Sequence, residues 1–283
     1  MKIGRVNGID IKLHLSTLLI VALVGFSAAS LYVNLVLFPS FIEIIIVGLT
    51  SGVIILISIL LHELTHSLVA QKYGLVVSEI ELYVFGGASK IEKEPETPKS
   101  EVVIAFVGPL SSLVLGFSFL LILFLSPIVL APIIYVSLLY TGISNISLGL
   151  FNLIPAFPVD GGRILRAFLW HRRHDILSAT KTASRVGSFF AYGLMAYGIL
   201  QIFLFGFFSG FWLVLIGSYL NRQTKQSYIQ IKNEVMLSTF YAKEMISIPK
   251  IEIPFDTLIS DAVRDYFMIY KDHISQLFKE IQL

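Results

Sequence analysis

Long apolar runs separated by short polar connectors dominate the chain. A helix needs about 20 apolar residues to cross a hydrocarbon core of about 30 Å. Such stretches run from about Ser16 to Leu37, Ile42 to Ala70, Val102 to Leu125 and Ile133 to Ile154. A further apolar block, from about Val186 to Leu220, is too long for one helix and breaks at Gly206–Gly210, which predicts two shorter spans. The pattern therefore predicts an all-α polytopic membrane protein with about six transmembrane helices.

Two segments outside the spans alternate with period two instead. Ile9, Ile11, Leu13 and Leu15 interleave with Asp10, Lys12 and His14 after an Asn7-Gly8 turn signal. From Ser78 to Tyr83, Ile80 and Leu82 alternate with Glu79, Glu81 and Tyr83, and Ala88 to Ile91 can return as a partner strand. A small sheet on the cytoplasmic side follows, shielded by protein or lying at the interface, because lipid cannot satisfy open strand edges. These parts make a membrane-embedded domain over residues 1–235. Residues 236–283 are ordinary and polar in composition and read as a cytoplasmic tail.

Composition supports the membrane assignment. Hydrophobic residues make up 55% of the 283 and charged residues only 14%, against roughly a quarter charged in soluble domains. That excludes an ordinary cytosolic enzyme and a disordered scaffold. A net charge of +2 gives no case for nucleic acid. The absence of cysteine excludes disulfides, thiolate catalysis and Cys-rich zinc sites. Met1 to Leu15 lacks the apolar stretch and cleavage site of a secretory signal. All 21 Lys and Arg precede the first span, lie between the second and third or between the fourth and fifth, or follow the sixth. The positive-inside bias then puts both termini in the cytoplasm of a multi-pass cell-membrane protein whose solvent is the lipid bilayer.

The second span contains His62-Glu63-Leu64-Thr65-His66. Residues four apart on a helix share a face, so both imidazoles can reach one ion, and Glu63 stands beside the first as a candidate general base. Two imidazoles and a carboxylate within an apolar helix are costly unless they have partners or a function. A catalytic zinc takes three protein ligands and keeps one position open. Glu43 is about five helical turns from His62, and most other acids lie in the tail or the cytoplasmic loops. Asp160 is therefore the favoured third ligand, with His14 as its competitor; His171 and His174 fall further along a basic stretch. Pro155, Pro158, Gly161 and Gly162 surround Asp160 and predict an unwound backbone. At membrane depth such backbone must line protein or a water-filled cavity.

Together these residues resemble the site-2 protease family of intramembrane zinc metalloproteases. The resemblance rests on His62-Glu63-x-x-His66 in one span and Asn152-x-x-Pro155-x-x-Pro158-x-Asp160-Gly161 near the end of another, with Gly108-Pro109 and Phe85-Gly86-Gly87 as further family features. Thr65 replaces the small residue often found before the second histidine. By resemblance His62, His66 and Asp160 would bind one Zn2+ per chain, Glu63 would be the catalytic base and Asn152 would assist at the substrate carbonyl. Phe85, Gly86 and Gly87 would hold the unwound segment of a transmembrane protein substrate. The implied reaction is hydrolysis of a peptide bond in or near that segment.

The tail resembles the beginning of a CBS module over Ala242 to Ser247 and Phe255 to Val263. The chain stops at Leu283, short of a full module, which argues against nucleotide binding and leaves pairing with a second copy, a homodimer, open. Two other classes compete with the protease: a polytopic metal transporter and a catalytically inactive membrane binding protein. Transport favours several weak sites along a pore, whereas this chain has one cluster and an almost uncharged outer half.

Overall fold

The computed structural model describes residues 2–83, 86–91, 94–126 and 131–237. Its elements, in order, are β1 (Lys2–Val6), β2 (Ile9–Leu13), α1 (Thr17–Leu35), α2 (Phe41–Lys72), β3 (Val77–Tyr83), β4 (Gly86–Ile91), α3 (Pro98–Leu125), α4 (Pro132–Asn152), α5 (Asp160–Arg173), α6 (Ile176–Phe205) and α7 (Phe207–Leu237). The chain divides into two units, Met1–Lys232 and Asn233–Leu283. The CBS-like resemblance falls outside the described residues.

Among the described residues, α1, α2, α3, α4 and α6 are long and apolar enough to cross a membrane. The expected break in the last apolar block is present: Gly206, at φ +95°, separates α6 from α7. The sixth span is less complete than expected. The apolar run of α7 ends at Leu220, and Asn221, Arg222, Gln223, Thr224 and Lys225 follow it on the same helix. That run falls short of the roughly 20 residues a span needs.

Helix starts follow local chemistry. Ser40 caps α2, its hydroxyl accepting from the Glu43 amide while the Glu43 carboxylate accepts from the Ser40 amide. Thr97 and Ser100 form the same reciprocal box at the start of α3, where Pro98 supplies the preset φ of a first turn. Each box satisfies amides that have no partner within the helix.

The expected sheet is four-stranded in the order β1-β2-β3-β4. Asn7 and Gly8, both at positive φ, turn β1 back on β2. The β2–β3 pair is parallel and the β3–β4 pair antiparallel. Parallel pairing requires a long crossover, and here α1 and α2 provide it. Ile9, Val77, Ile80 and Leu82 form one buried cluster with Ala70 of α2 and Ile104 of α3. Burying four such side chains contributes several kcal/mol at about 1.5–3 kcal/mol each. This apolar seam holds the sheet against the end of α2 that carries His62 and His66.

Close backbone approach holds α1 on α2. A Cβ on Gly25 would lie 2.7 Å from the Gly48 carbonyl oxygen, and one on Gly52 would lie 2.7 Å from that of Val21. Small residues at a helix interface allow such contact, which lipid-embedded helices use in place of hydrophobic drive. Gly193 has nothing within 4 Å of its would-be Cβ. Gly25→Val is expected to destabilise the protein by about 1–3 kcal/mol through overpacking. Gly193→Val should be near neutral, and thermal unfolding of both variants in detergent checks the contrast.

Candidate metal centre

Four residues apart on α2, His62 and His66 present their rings to the same side, each only 4% exposed. Their Nε2 atoms are 3.2 Å apart, and each lies 3.2 Å from Asp160 Oδ2. Ligand atoms of tetrahedral zinc bonded at about 2.0–2.1 Å are separated by about 3.3 Å. The near-equilateral triangle therefore matches one face of such a tetrahedron. Two imidazole nitrogens and one carboxylate oxygen are also a donor set that suits zinc. Among the described residues this is the one place where three such donors converge.

The far nitrogens of both rings are held from behind by α3. His66 Nδ1 lies 2.6 Å from the Ile104 carbonyl oxygen. A carbonyl can only accept, so Nδ1 carries the proton and Nε2 of the neutral ring keeps its lone pair for an ion. His62 Nδ1 lies 2.9 Å from Ser112 Oγ. Gly108, between these two supports, lies directly against the second imidazole: a Cβ there would come 2.0 Å from His66 Nε2.

Asp160 begins α5 after the loop 153–159. The loop folds tightly, with Ala156 donating to the Ile154 carbonyl at 2.7 Å and Val159 to the Ala156 carbonyl at 3.0 Å. Pro155 and Pro158 interrupt the helical ladder, as expected. The glycine pair after Asp160 lets the loop return over α5, because a Cβ on Gly161 would lie 2.3 Å from the Leu153 carbonyl oxygen and one on Gly162 would lie 2.1 Å from Phe157 N. Thr224 of α7 donates its hydroxyl to the Phe157 carbonyl at 2.7 Å. Oδ2 of Asp160 thus faces the two rings.

Glu63 sits beside the triangle under the sheet. Ser89 of β4 donates to Glu63 Oε2 at 3.0 Å, and Ser67 of α2 donates to Ser89 Oγ at 3.0 Å. Gly87 passes so close that a Cβ there would stand 2.3 Å from Glu63 Cγ. β4 is thus seated on the Glu63 side chain, and any larger residue at that point would have to displace it.

Asn152 ends α4, and its amide donates to the Leu148 carbonyl at 3.0 Å. His14 stays with the sheet, its Nδ1 2.8 Å from Ser16 Oγ and its ring 5.4 Å from that of Tyr83. It is not part of the triangle. His171 lies in the last turn of α5 and His174 at its C-cap. Phe85 lies outside the described residues. Sequence reasoning missed Ser112, Ser89 and a buried pair, Arg166 of α5 and Glu101 of α3. The available signal was Glu101 at the foot of an apolar span, where a carboxylate requires a cationic partner.

Comparison with known proteins bears on this arrangement. The sequence profile of Peptidase family M50 matches residues 51–136 and 129–194. Rip3 of Mycobacterium tuberculosis is 32% identical over 237 residues, which is 83% of this chain, and the match spans 60% of Rip3's own length. A zinc metalloprotease of Methanocaldococcus jannaschii is 30% identical over 96% of this chain and 73% of its own. A solved site-2 protease from Methanocaldococcus jannaschii is similar in fold, with a TM-score of 0.55 at 30% identity over 80% of this chain and 94% of that one. With a profile covering both motif-bearing regions and relatives this extensive, the chain belongs to peptidase family M50, the site-2 protease family that its paired motifs resemble.

Proposed function

We propose that this multi-pass membrane protein is an intramembrane zinc metalloprotease that hydrolyses a peptide bond in or near a transmembrane helix of its substrate. The observation that carries this reading is the triangle of His62 Nε2, His66 Nε2 and Asp160 Oδ2 with 3.2 Å sides, set beside Glu63. These three side chains would hold the ion. When bound there, zinc supplies a Lewis acid that polarises a carbonyl and brings the pKa of a water down to about 7.

The chain's own residues then handle protons and orientation. Ser89 holds Glu63 Oε2, which leaves Oε1 to take a proton from the attacking water and return it to the departing amine. The water oxygen bonds to the carbonyl carbon, the C–N bond breaks, and the amine leaves with the transferred proton. Asn152 is assigned to the developing oxyanion, where a positioned donor is worth about 2.7–4 kcal/mol. Its carboxamide must turn from the Leu148 carbonyl to act there.

A helical substrate must open before its carbonyl is reachable. β4 is the outer strand of the sheet order, so an unwound segment can add along Gly86 and Gly87 and exchange its internal hydrogen bonds for main-chain ones. The positive-inside pattern supports a site opening toward the cytoplasm with both termini on that side.

Glu63→Gln is expected to keep one zinc per chain and to lose about 10²–10⁴-fold in cleavage of a co-expressed single-span substrate. Retained cleavage would rule Glu63 out as the base. Two glycine variants should separate binding from chemistry. Gly108→Ala pushes a methyl into His66 Nε2 and should lose zinc as measured by metal analysis. Gly87→Ala displaces Glu63 instead, and should retain zinc while cleavage falls.

A further inference from the structure

α3 supplies no metal ligand, yet one of its faces backs both imidazoles and meets the helix that Asp160 begins. Glu101, Ile104, Gly108 and Ser112 recur three or four residues apart and so share that face. Ile104 and Ser112 hold His66 and His62 from behind, and Gly108 lies against the His66 ring. Glu101, fully buried on the same face, receives Arg166 of α5, which is 1% exposed.

Arg166 lies six residues after Asp160, about 9 Å along the helix. Its Nε and Nη2 both meet Glu101 Oε1, and Nη2 also donates to Glu94 Oε2 at 2.7 Å. The guanidinium stands over the ring of Phe157, 5.2 Å from its centroid. Phe157 is three residues before Asp160, in the loop that delivers it. One side chain therefore grips both the helix that Asp160 begins and the loop that leads into it. A buried ion pair is weak as a source of stability, since well-packed apolar residues often do as well. Its planar, directional bonds are better suited to fixing geometry.

We propose that Arg166, clamped by Glu101 and Glu94, is the positioning residue for Asp160. It refers the carboxylate to the same α3 face that orients both imidazoles. The inference rests on the zinc reading above and adds how the third ligand reaches the other two. Metal centres need their ligands held to within about 0.5 Å, and a loop interrupted by two prolines has no helical ladder to provide that.

A double-mutant cycle on the full chain in detergent tests the assignment, read as zinc affinity by chelator competition and as the absorption spectrum of the cobalt-substituted protein. Arg166→Met should weaken zinc binding by about tenfold, as losses behind a ligand do, and alter the cobalt spectrum. In an Asp160→Ala background the same change should have less than about a twofold effect, because the imidazoles are held independently by Ser112 and Ile104. An equal loss in both backgrounds, or no loss in either, overturns the positioning role.

If Arg166→Met does not fold, Arg166→Lys and Glu94→Gln carry the test. Arg166→Lys keeps the charge but loses the fork, and Glu94→Gln removes the more exposed of the two carboxylates. Each should weaken zinc severalfold only while Asp160 is present, and unchanged affinity in both overturns the proposal. A wild-type chain that bound no zinc would instead end the zinc reading itself. Wild-type binding of one zinc per chain with an indifferent Arg166 would end only the positioning role.

Discussion

Polar groups placed inside an apolar bundle must be held from behind as well as used in front. His62, His66 and Asp160 each come from a helix or loop that lipid and apolar neighbours would otherwise leave without partners. α3 meets that demand. Its Ile104 carbonyl fixes the proton of one imidazole, its Ser112 hydroxyl takes the other, and its Glu101 anchors the guanidinium that follows Asp160. The helix without ligands is the frame of the centre, and its Thr97–Ser100 capping box sets where that frame begins.

The sheet solves a second problem, the placement of Glu63. A carboxylate on a membrane helix has several rotamers, and the role proposed for Glu63 requires that it keep one. β4 lies on it through Gly87 and bonds it through Ser89. The strand is held in place by β3, which the apolar seam of Ile80, Leu82, Ala70 and Ile104 fixes against α2 and α3. The fold therefore brings a strand edge and the Glu63 carboxylate to one point, the arrangement that the proposed cleavage of an unwound peptide calls for.

Much of this was legible in the residues alone. Runs of about 20 apolar residues marked the first four spans, because the period and length of a helix in lipid are local properties. The Asn7-Gly8 turn and the alternation at Ser78–Tyr83 marked the strands, since side-chain direction in a strand depends only on parity. The spacing of His62 and His66 put two imidazoles on one face for the same kind of reason. The last apolar block was legible only in part. Gly206 broke it as expected, but apolar length alone could not say that the helix begun at Phe207 runs on past Leu220 through polar residues to Leu237.

Asp160 lay between these cases. Elimination among the acids and the surrounding prolines and glycines selected it, but nothing local says where an unwound loop will end. What remained hidden has one cause: pairings such as Glu101 with Arg166 or Gly87 with Glu63 join residues far apart in the chain. In the sequence Arg166 is one more cation in a basic connector, and Glu101 at the foot of an apolar span calls for a cation without saying which. Periodicity assigns a residue to a face of its own helix, and the sequence of this protein determined those faces and the donors on them. Which faces meet depends on how α3 and α5 pack, and only the tertiary structure decided that a glycine would press on Glu63 and a buried guanidinium would stand behind Asp160.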